Sequence, residues 1–161
     1  MSGHGRTLAE PAFPDDDGQL DPSLVEVIDG TDVDVLGRLG GARIFVAVVA
    51  VLTGSAELAA IEGDKNADMA AVLMQGADGR QALLTFTSVA AMQQWNPQAR
   101  PVPVYGRDAA RAALAEGASA MLLDLGGPRF RVIETEDVEH LAQEHVLVRT
   151  PAGPAWVAPA D

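Results

Sequence analysis

The sequence predicts an α+β fold, a single domain in which helices pack on a mixed β-sheet of about five or six strands. Short apolar segments rich in β-branched residues recur between residues 43 and 133, and residues that start or stop helices separate several of them. Strand–helix alternation over residues 80–130 favours parallel pairing, whereas a Gly- and Asp-containing turn at residues 76–79 predicts an antiparallel hairpin. The sheet is therefore predicted to combine both strand directions.

The folded domain is predicted to span residues 21–150, with a tail on each side. Residues 1–20 are rich in Gly, Pro and Asp and contain few residues that can be buried, so they are predicted to form a disordered acidic tail. Residues 151–161 are rich in Pro and Ala and are predicted to be loose, with Trp156 as the side chain that can dock them.

Two short helices are predicted ahead of the first strand. Asp21-Pro22 is typical of a helix start, because Asp is a favoured N-cap and Pro fits the first helical position. A second helix is predicted from Asp32 to Gly40-Gly41. Residues 43–53 are β-branched and apolar on both faces, which predicts a central strand covered on two sides.

A hairpin and a capped helix follow this strand. Residues 67–75 and 80–86 flank the Gly-containing turn and are predicted to pair as antiparallel strands. Thr87-Ser88 can cap the next helix, and Asn96-Pro97 ends it. A strand is predicted at 102–105, and its prolines place it near a sheet edge. An Ala-rich helix follows, with Asp108 in its first turn and Gly117 at its C-terminal cap. The remaining elements are strands at 118–125 and 130–133 and a final helix capped by Thr135 that carries His145 on its apolar face.

The charge of the chain excludes two classes of partner. The net charge is −12, from 23 acidic and 11 basic residues, and aromatic residues make up only 4% of the chain. Binding to phosphate backbones requires a basic surface that displaces counterions, and single-stranded nucleic acid also needs aromatic platforms. Nucleic acid and anionic membranes are therefore not expected as partners. The partner is therefore expected to be a protein or a small ligand. The sequence does not determine the oligomeric state.

Hydropathy and cysteine content favour a soluble, cytoplasmic protein. The longest apolar run, residues 44–52, is far shorter than the roughly 20 residues that cross a bilayer. The first 18 residues lack the apolar core of a signal peptide. The chain has no cysteine, which is compatible with a reducing compartment and excludes disulfides and thiolate chemistry.

Two blocks of sequence carry a family resemblance. The first block is GARIFVAVVA at residues 41–50, followed by KNADMAA at residues 65–71. The second block runs from DGRQALLTFTS through Trp95 and ARPVPV to the EGA unit before Ser119 and to LLDLGGP at residues 122–128. In their order and spacing these segments resemble the SseB N-terminal domain of actinobacterial-type proteins, over about residues 21–150.

The resemblance implies a fold and no catalytic residues. The family label has been attached to a serine-sensitivity phenotype and to a translocon component of type III secretion. The translocon interpretation predicts membrane-active or coiled-coil stretches, and this sequence contains neither. The resemblance therefore supplies no residues to which a reaction can be assigned.

Sequence motifs typical of metal binding, nucleotide binding or catalysis are absent or incomplete. DKNAD at residues 64–68 begins like a calcium-binding loop but has Met69 at position six and Gln75 at position twelve, where such loops have Gly and Glu. His140 and His145 are five residues apart rather than four. There is no G-x-S-x-G segment and no Gly-rich phosphate loop. We therefore predict no metal site, no cofactor and no catalytic set.

The candidate ligand site lies at the junction between a strand and the helix that Ser88 caps. The crevice beyond the carboxyl ends of parallel strands is a common ligand site, and a helix N-terminus can hold an anion. The alternative is that these residues serve only as helix caps and core packing, with an aspartate that shapes a turn. The candidate ligand-binding residues are Thr87, Ser88, Trp95, Tyr105 and Asp124.

Three functions remain open at this stage. The first is a non-enzymatic module that binds a protein or a small ligand. The second is a metal-independent enzyme that uses a carboxylate, Asp124 or Glu116, as acid or base; a carboxylate whose pKa is raised by burial in a cleft distinguishes it. The third is a secretion- or assembly-associated component, which predicts an exposed apolar patch and self-association.

Overall fold

The computed structural model describes residues 13–51 and 68–159. Residues 1–12 of the predicted N-terminal tail and most of the DKNAD segment lie outside the described residues. The helices are α1 (Pro22–Val25), α2 (Asp32–Leu39), α3 (Val89–Trp95), α4 (Gly106–Ala115) and α5 (Thr135–Ala142). The strands are β1 (Arg43–Val51), β2 (Asp68–Ala71), β3 (Leu73–Gln75), β4 (Gln81–Phe86), β5 (Arg100–Tyr105), β6 (Ala120–Leu123), β7 (Arg131–Ile133), β8 (Val146–Thr150) and β9 (Gly153–Val157).

The predicted α+β class and the mixed sheet are confirmed. Seven strands form one sheet in which β5, β1, β4, β6 and β7 lie side by side, and β2 and β3 pair with β1 and β4 respectively. The pair β4–β6 is parallel and the other pairs described in this sheet are antiparallel. The pairing of β5 with β1, at an edge, agrees with the position predicted from its prolines.

The sheet has more strands than predicted because the segment 68–75 bends at Val72. Its first half pairs with β1 and its second half with β4. At the bend, the N–H of Val72 donates to the carbonyl of Ala47, and its carbonyl accepts from the N–H of Leu84. One apolar segment thus fills the fork where β1 and β4 diverge and yields two short strands.

Helices cover both faces of the sheet, and each face has its own core. Helices α1, α2, α4 and α5 pack on one face, and α3 packs on the other. Alternate residues of β1 enter the two cores, which confirms the prediction of a strand covered on both sides. The first core contains Leu24, Val35, Leu39, Ile44, Val46, Leu83, Ala109, Ala113, Met121, Leu123, Val138 and Leu141, and the second contains Phe45, Ala47, Leu84, Phe86, Met92 and Ala99.

Two of the predicted helix caps are confirmed and one differs. The side chain of Asp21 accepts from the N–H of Ser23, and that of Ser88 accepts from the N–H of Ala91. Thr135 is instead the first residue of α5, and its hydroxyl donates to the carbonyl of Ser119, which ties the helix to the start of β6. His145 lies beyond the end of α5 rather than on its face.

Residues 13–20, assigned to the tail by sequence, lie against the sheet. The carboxylate of Asp16 forms an ion pair with Arg43 (2.9 Å), and the carbonyl of Gln19 accepts from the same guanidinium. The carbonyl of Gly18 accepts from the N–H of Val89, and the ring of Phe13 meets the edge of Tyr105 at 5.0 Å between centroids. A buried arginine therefore holds this segment together with the apolar contacts of Phe13 and Leu20.

The C-terminal residues form a hairpin rather than a loose tail. Strands β8 and β9 pair in a separate two-stranded sheet. Trp156 stacks on His140 with the ring planes 10° apart, and its indole N–H donates to Asp137 (3.1 Å). Trp156 thus docks the hairpin onto α5, in agreement with the docking role predicted for it.

No helix within the described ranges is long and apolar enough to cross a membrane.

Candidate ligand-binding cleft

Thr87 and Asp124 meet at the carboxyl ends of two parallel strands. Each directly follows its strand, β4 or β6, so the parallel pairing brings them to the same edge of the sheet. The backbone N–H of Thr87 donates to Oδ1 of Asp124 and its hydroxyl donates to Oδ2, both at 2.7 Å. Both side chains are buried, with Asp124 only 4% exposed. The carboxylate therefore joins the two strand ends.

The backbone of Asp124 adopts a left-handed conformation. Its φ is +58°, a region that non-glycine residues seldom occupy and that Asp tolerates better than most. Its N–H donates to the carbonyl of Thr85, and its carbonyl accepts from the N–H of Gly127. The predicted turn at this aspartate is present, and it directs the carboxylate to Thr87 across the end of the sheet.

A cleft of about 500 Å³ opens above these residues. We call it the β4/β6 cleft. Helix α3 forms one wall and the loop after β6 forms the other. Its lining residues are Asp29, Thr87, Ser88, Ala90, Ala91, Gln94, Asp124, Leu125, Gly126, Gly127, Pro128 and Arg129.

Two of the backbone N–H groups in the first turn of α3 already have acceptors within the protein. The N–H of Val89 donates to the carbonyl of Gly18, and the N–H of Ala91 donates to the hydroxyl of Ser88. The helix is also only seven residues long, so its dipole is small. The geometry thus gives little support to the predicted binding of an anion at the N-terminus of α3.

The structure gathers three of the five candidate residues and places the other two elsewhere. Thr87, Ser88 and Asp124 line the cleft. Trp95, expected as its apolar wall, packs on Phe86 at 5.7 Å between centroids, in the core beneath α3. Tyr105 ends β5, with β1 between it and β4, and contacts Phe13.

Sequence reasoning missed an ion pair on the rim of the cleft. Arg129 donates from Nε to Oδ1 of Asp29 at 2.9 Å and from Nη2 to Oδ2 at 3.3 Å. The two residues are 100 positions apart in the sequence. No local pattern signals such a pair, because it depends on how the loop after α1 and the loop after β6 meet.

Burial raises the pKa of Asp124 above its ordinary value of 3.8. The hydrogen bonds from Thr87 and the positive charges of Arg129 and Arg131 act in the opposite direction and offset the burial only in part. Glu116, the other carboxylate considered from sequence, is exposed. Asp124 is therefore the one of these two carboxylates that is buried at the floor of a cleft.

The raised pKa of Asp124 predicts a specific pH dependence of stability. The folded protein holds the proton of Asp124 more tightly than the unfolded chain does. The resulting contribution to the free energy of unfolding is fully present below about pH 3.8 and is lost as the pH rises through the pKa of Asp124 in the folded state. The variant Asp124→Asn lacks this titration. We expect the wild type to gain stability relative to the variant, in urea unfolding experiments, as pH falls from about 7 towards 4. A difference that is constant, or that shrinks, contradicts the assignment.

The Thr87 hydroxyl is predicted to stabilise the buried carboxylate. Thr87→Val keeps the shape of the side chain but leaves Oδ2 of Asp124 without its donor, so we expect a loss of about 1–3 kcal/mol in the free energy of unfolding. Thr87→Ser retains the hydroxyl and is the matched control. Urea unfolding of both variants checks this, and an equal or larger loss in Thr87→Ser contradicts it.

The described residues contain no cluster of three or more His, Asp or Glu side chains that could hold a metal ion. The cleft combines one buried carboxylate with hydroxyl and amide groups, a charged pair on its rim and a mainly apolar wall.

Comparison with known proteins identifies one family. The family model for the SseB protein N-terminal domain matches residues 23–140. No curated protein and no solved structure matches the chain. The match ends before the β8–β9 hairpin and begins after the segment that Arg43 holds against the sheet.

Proposed function

The chain belongs to the SseB family, and we propose that it acts as a non-enzymatic binding module that holds a small molecule in the β4/β6 cleft. Ligands of open α/β sheets commonly bind beyond the carboxyl ends of the strands, where the chain leaves the sheet in different directions. Here α3 leaves β4 on one side and the loop after β6 leaves on the other, which opens the cleft between them.

The observation that carries this proposal is the position of Asp124. A buried carboxylate in a left-handed backbone conformation lines an open cleft of about 500 Å³. Burying a charged group costs free energy, and rare backbone conformations persist where the surrounding structure enforces them. Small-molecule sites have this form, a mainly apolar cavity of ~300–1,000 Å³ with a few placed polar groups.

Native mass spectrometry of the full chain, purified from the organism that encodes it, tests the proposal. We expect a bound small molecule in the wild-type protein. Ala90→Trp should abolish it, because Ala90 is exposed on the cleft wall and a tryptophan there fills the space. Ala112→Trp is the matched control, an exposed helical alanine on α4 outside the cleft lining. A ligand retained by Ala90→Trp, or no ligand in the wild type, contradicts the proposal.

A second candidate function is an enzyme that uses Asp124 as a general acid or base. The raised pKa of this buried carboxylate is the observation that favours it. The same purified material separates the two candidates. A co-purified molecule that keeps its mass during incubation with the protein supports the binding module. Conversion that is lost in Asp124→Asn supports the enzyme, since Asn preserves the size and tolerates the backbone conformation.

A further inference from the structure

The carboxylate of Asp124 is bound only by neutral groups among the described residues. Its two hydrogen bonds come from the backbone N–H and the hydroxyl of Thr87. Neither brings a positive charge, although a buried carboxylate is stabilised most by a cation. When Asp124 is ionised, the floor of the β4/β6 cleft therefore holds a negative charge with no cation hydrogen-bonded to it among the described residues.

The two nearby arginines are engaged elsewhere. Arg129 forms its two-point pair with Asp29 on the rim. Arg131 binds Asp32 and donates to the carbonyl of Ile28 at 2.8 Å. Both act on Asp124 through space, and burial still outweighs them, so the pKa of Asp124 stays raised. Neither guanidinium is hydrogen-bonded to the carboxylate of Asp124, so the hydrogen-bond capacity of that carboxylate for a bound cation is not used by either arginine.

The remainder of the cleft fits a short apolar group rather than an anion. Its charged lining residues are two carboxylates and one guanidinium, a net charge of −1, in a chain whose net charge is −12. An anion would have to displace Asp29 from Arg129 and lie close to Asp124. The uncharged walls are largely aliphatic, from Ala90, Ala91, Leu125 and Pro128.

We infer that the β4/β6 cleft takes a small molecule with an ammonium group and a short apolar body, the ammonium group against Asp124 and the body against α3. This inference rests on the proposed function and specifies its ligand class. An ammonium group supplies up to three donors and a positive charge, which a carboxylate with free lone pairs accepts. A hard metal ion is a poorer match, because it requires several oxygen ligands held in place.

Titration of the full-length protein with n-butylamine, followed by amide NMR, tests the ligand class. The amine is protonated at neutral pH, since alkyl ammonium groups lose their proton near the lysine value of ~10.4. For so small a probe we expect saturable shifts at Thr87, Ser88, Gly126 and Gly127 with a dissociation constant of about 1 mM. The carboxyl carbon of Asp124 should also titrate at lower pH when the amine is present, because the bound cation favours the ionised form.

Control ligands and protein variants distinguish binding of the ammonium group in the cleft from binding that depends only on the alkyl chain or that occurs elsewhere. Neutral n-butanol and anionic butyrate should bind at least ten-fold more weakly. Asp124→Asn and Ala90→Trp should each weaken amine binding at least ten-fold, whereas Glu136→Gln, an exposed acid on α5, should leave it unchanged. Saturable cleft shifts with butyrate or butanol but not with the amine overturn the ammonium inference and leave the binding module standing. Amine binding that Asp124→Asn and Ala90→Trp both retain overturns the site, as does the absence of saturable cleft shifts with all three probes.

Discussion

Replacing Gly106 by alanine is expected to destabilise the fold by about 3 kcal/mol, because the added methyl group has no space. A Cβ at this position would lie 2.0 Å from the carbonyl oxygen of Leu39 and 2.7 Å from its carbon. Both are backbone atoms at the end of α2 and cannot rotate away as a side chain can. The N–H of Gly106 also donates to the carbonyl of Ala42, so α4 begins at a fixed distance from the chain after α2.

Urea unfolding of Gly106→Ala checks this prediction, with Gly41→Ala as the control. Gly41 is exposed and nothing lies within 4 Å of a Cβ built there, so its substitution should change stability by no more than about 1 kcal/mol in either direction. Comparable stability of the two variants would show that α2 and α4 do not approach each other as closely as described.

The second large effect is expected at Arg43. This side chain is 8% exposed, pairs with Asp16, and donates to the carbonyl oxygens of Thr87 (3.2 Å) and Gln19. Arg43→Met keeps much of the apolar stem and removes the cation, which leaves buried acceptors unpaired. We expect a loss of about 3–5 kcal/mol in the free energy of unfolding. The N–H of Val89 should also exchange faster with solvent, since the segment that carries its acceptor, Gly18, loses its anchor.

Arg38→Met supplies the control for this substitution. Arg38 pairs with Glu26 at a similar distance, 3.0 Å, but both side chains are exposed, so the loss should be about 0–1 kcal/mol. If the two arginine variants lose equal stability, or if Val89 keeps its protection in Arg43→Met, residues 13–20 are not held as the structure describes.

Local signals in the sequence predicted much of the fold. The caps at Asp21 and Ser88 act through the next few residues, so spacing alone reveals them. The hairpin around residues 76–79 and the edge position of β5 follow from Gly and Pro in the same way. Parallel pairing then brought Thr87 and Asp124 together, because both directly follow their strands.

The remaining features depend on contacts between distant residues. The bend at Val72 arises because β1 and β4 diverge, and nothing in a short apolar segment indicates a fork. Trp95 points into the core because α3 packs on β4 through that face, which removes it from the cleft. The rim pair of Asp29 with Arg129 joins two loops, and a buried arginine distant in the sequence helps to anchor residues 13–20. Composition classified that segment as a tail because it contains so few apolar residues.

A crystal structure of the protein purified from the organism that encodes it would show whether a ligand occupies the β4/β6 cleft. We expect density for an organic molecule in the β4/β6 cleft, with a nitrogen within hydrogen-bond distance of a carboxylate oxygen of Asp124. A co-purified molecule bound elsewhere on the protein, with only water molecules above Asp124, would contradict this expectation.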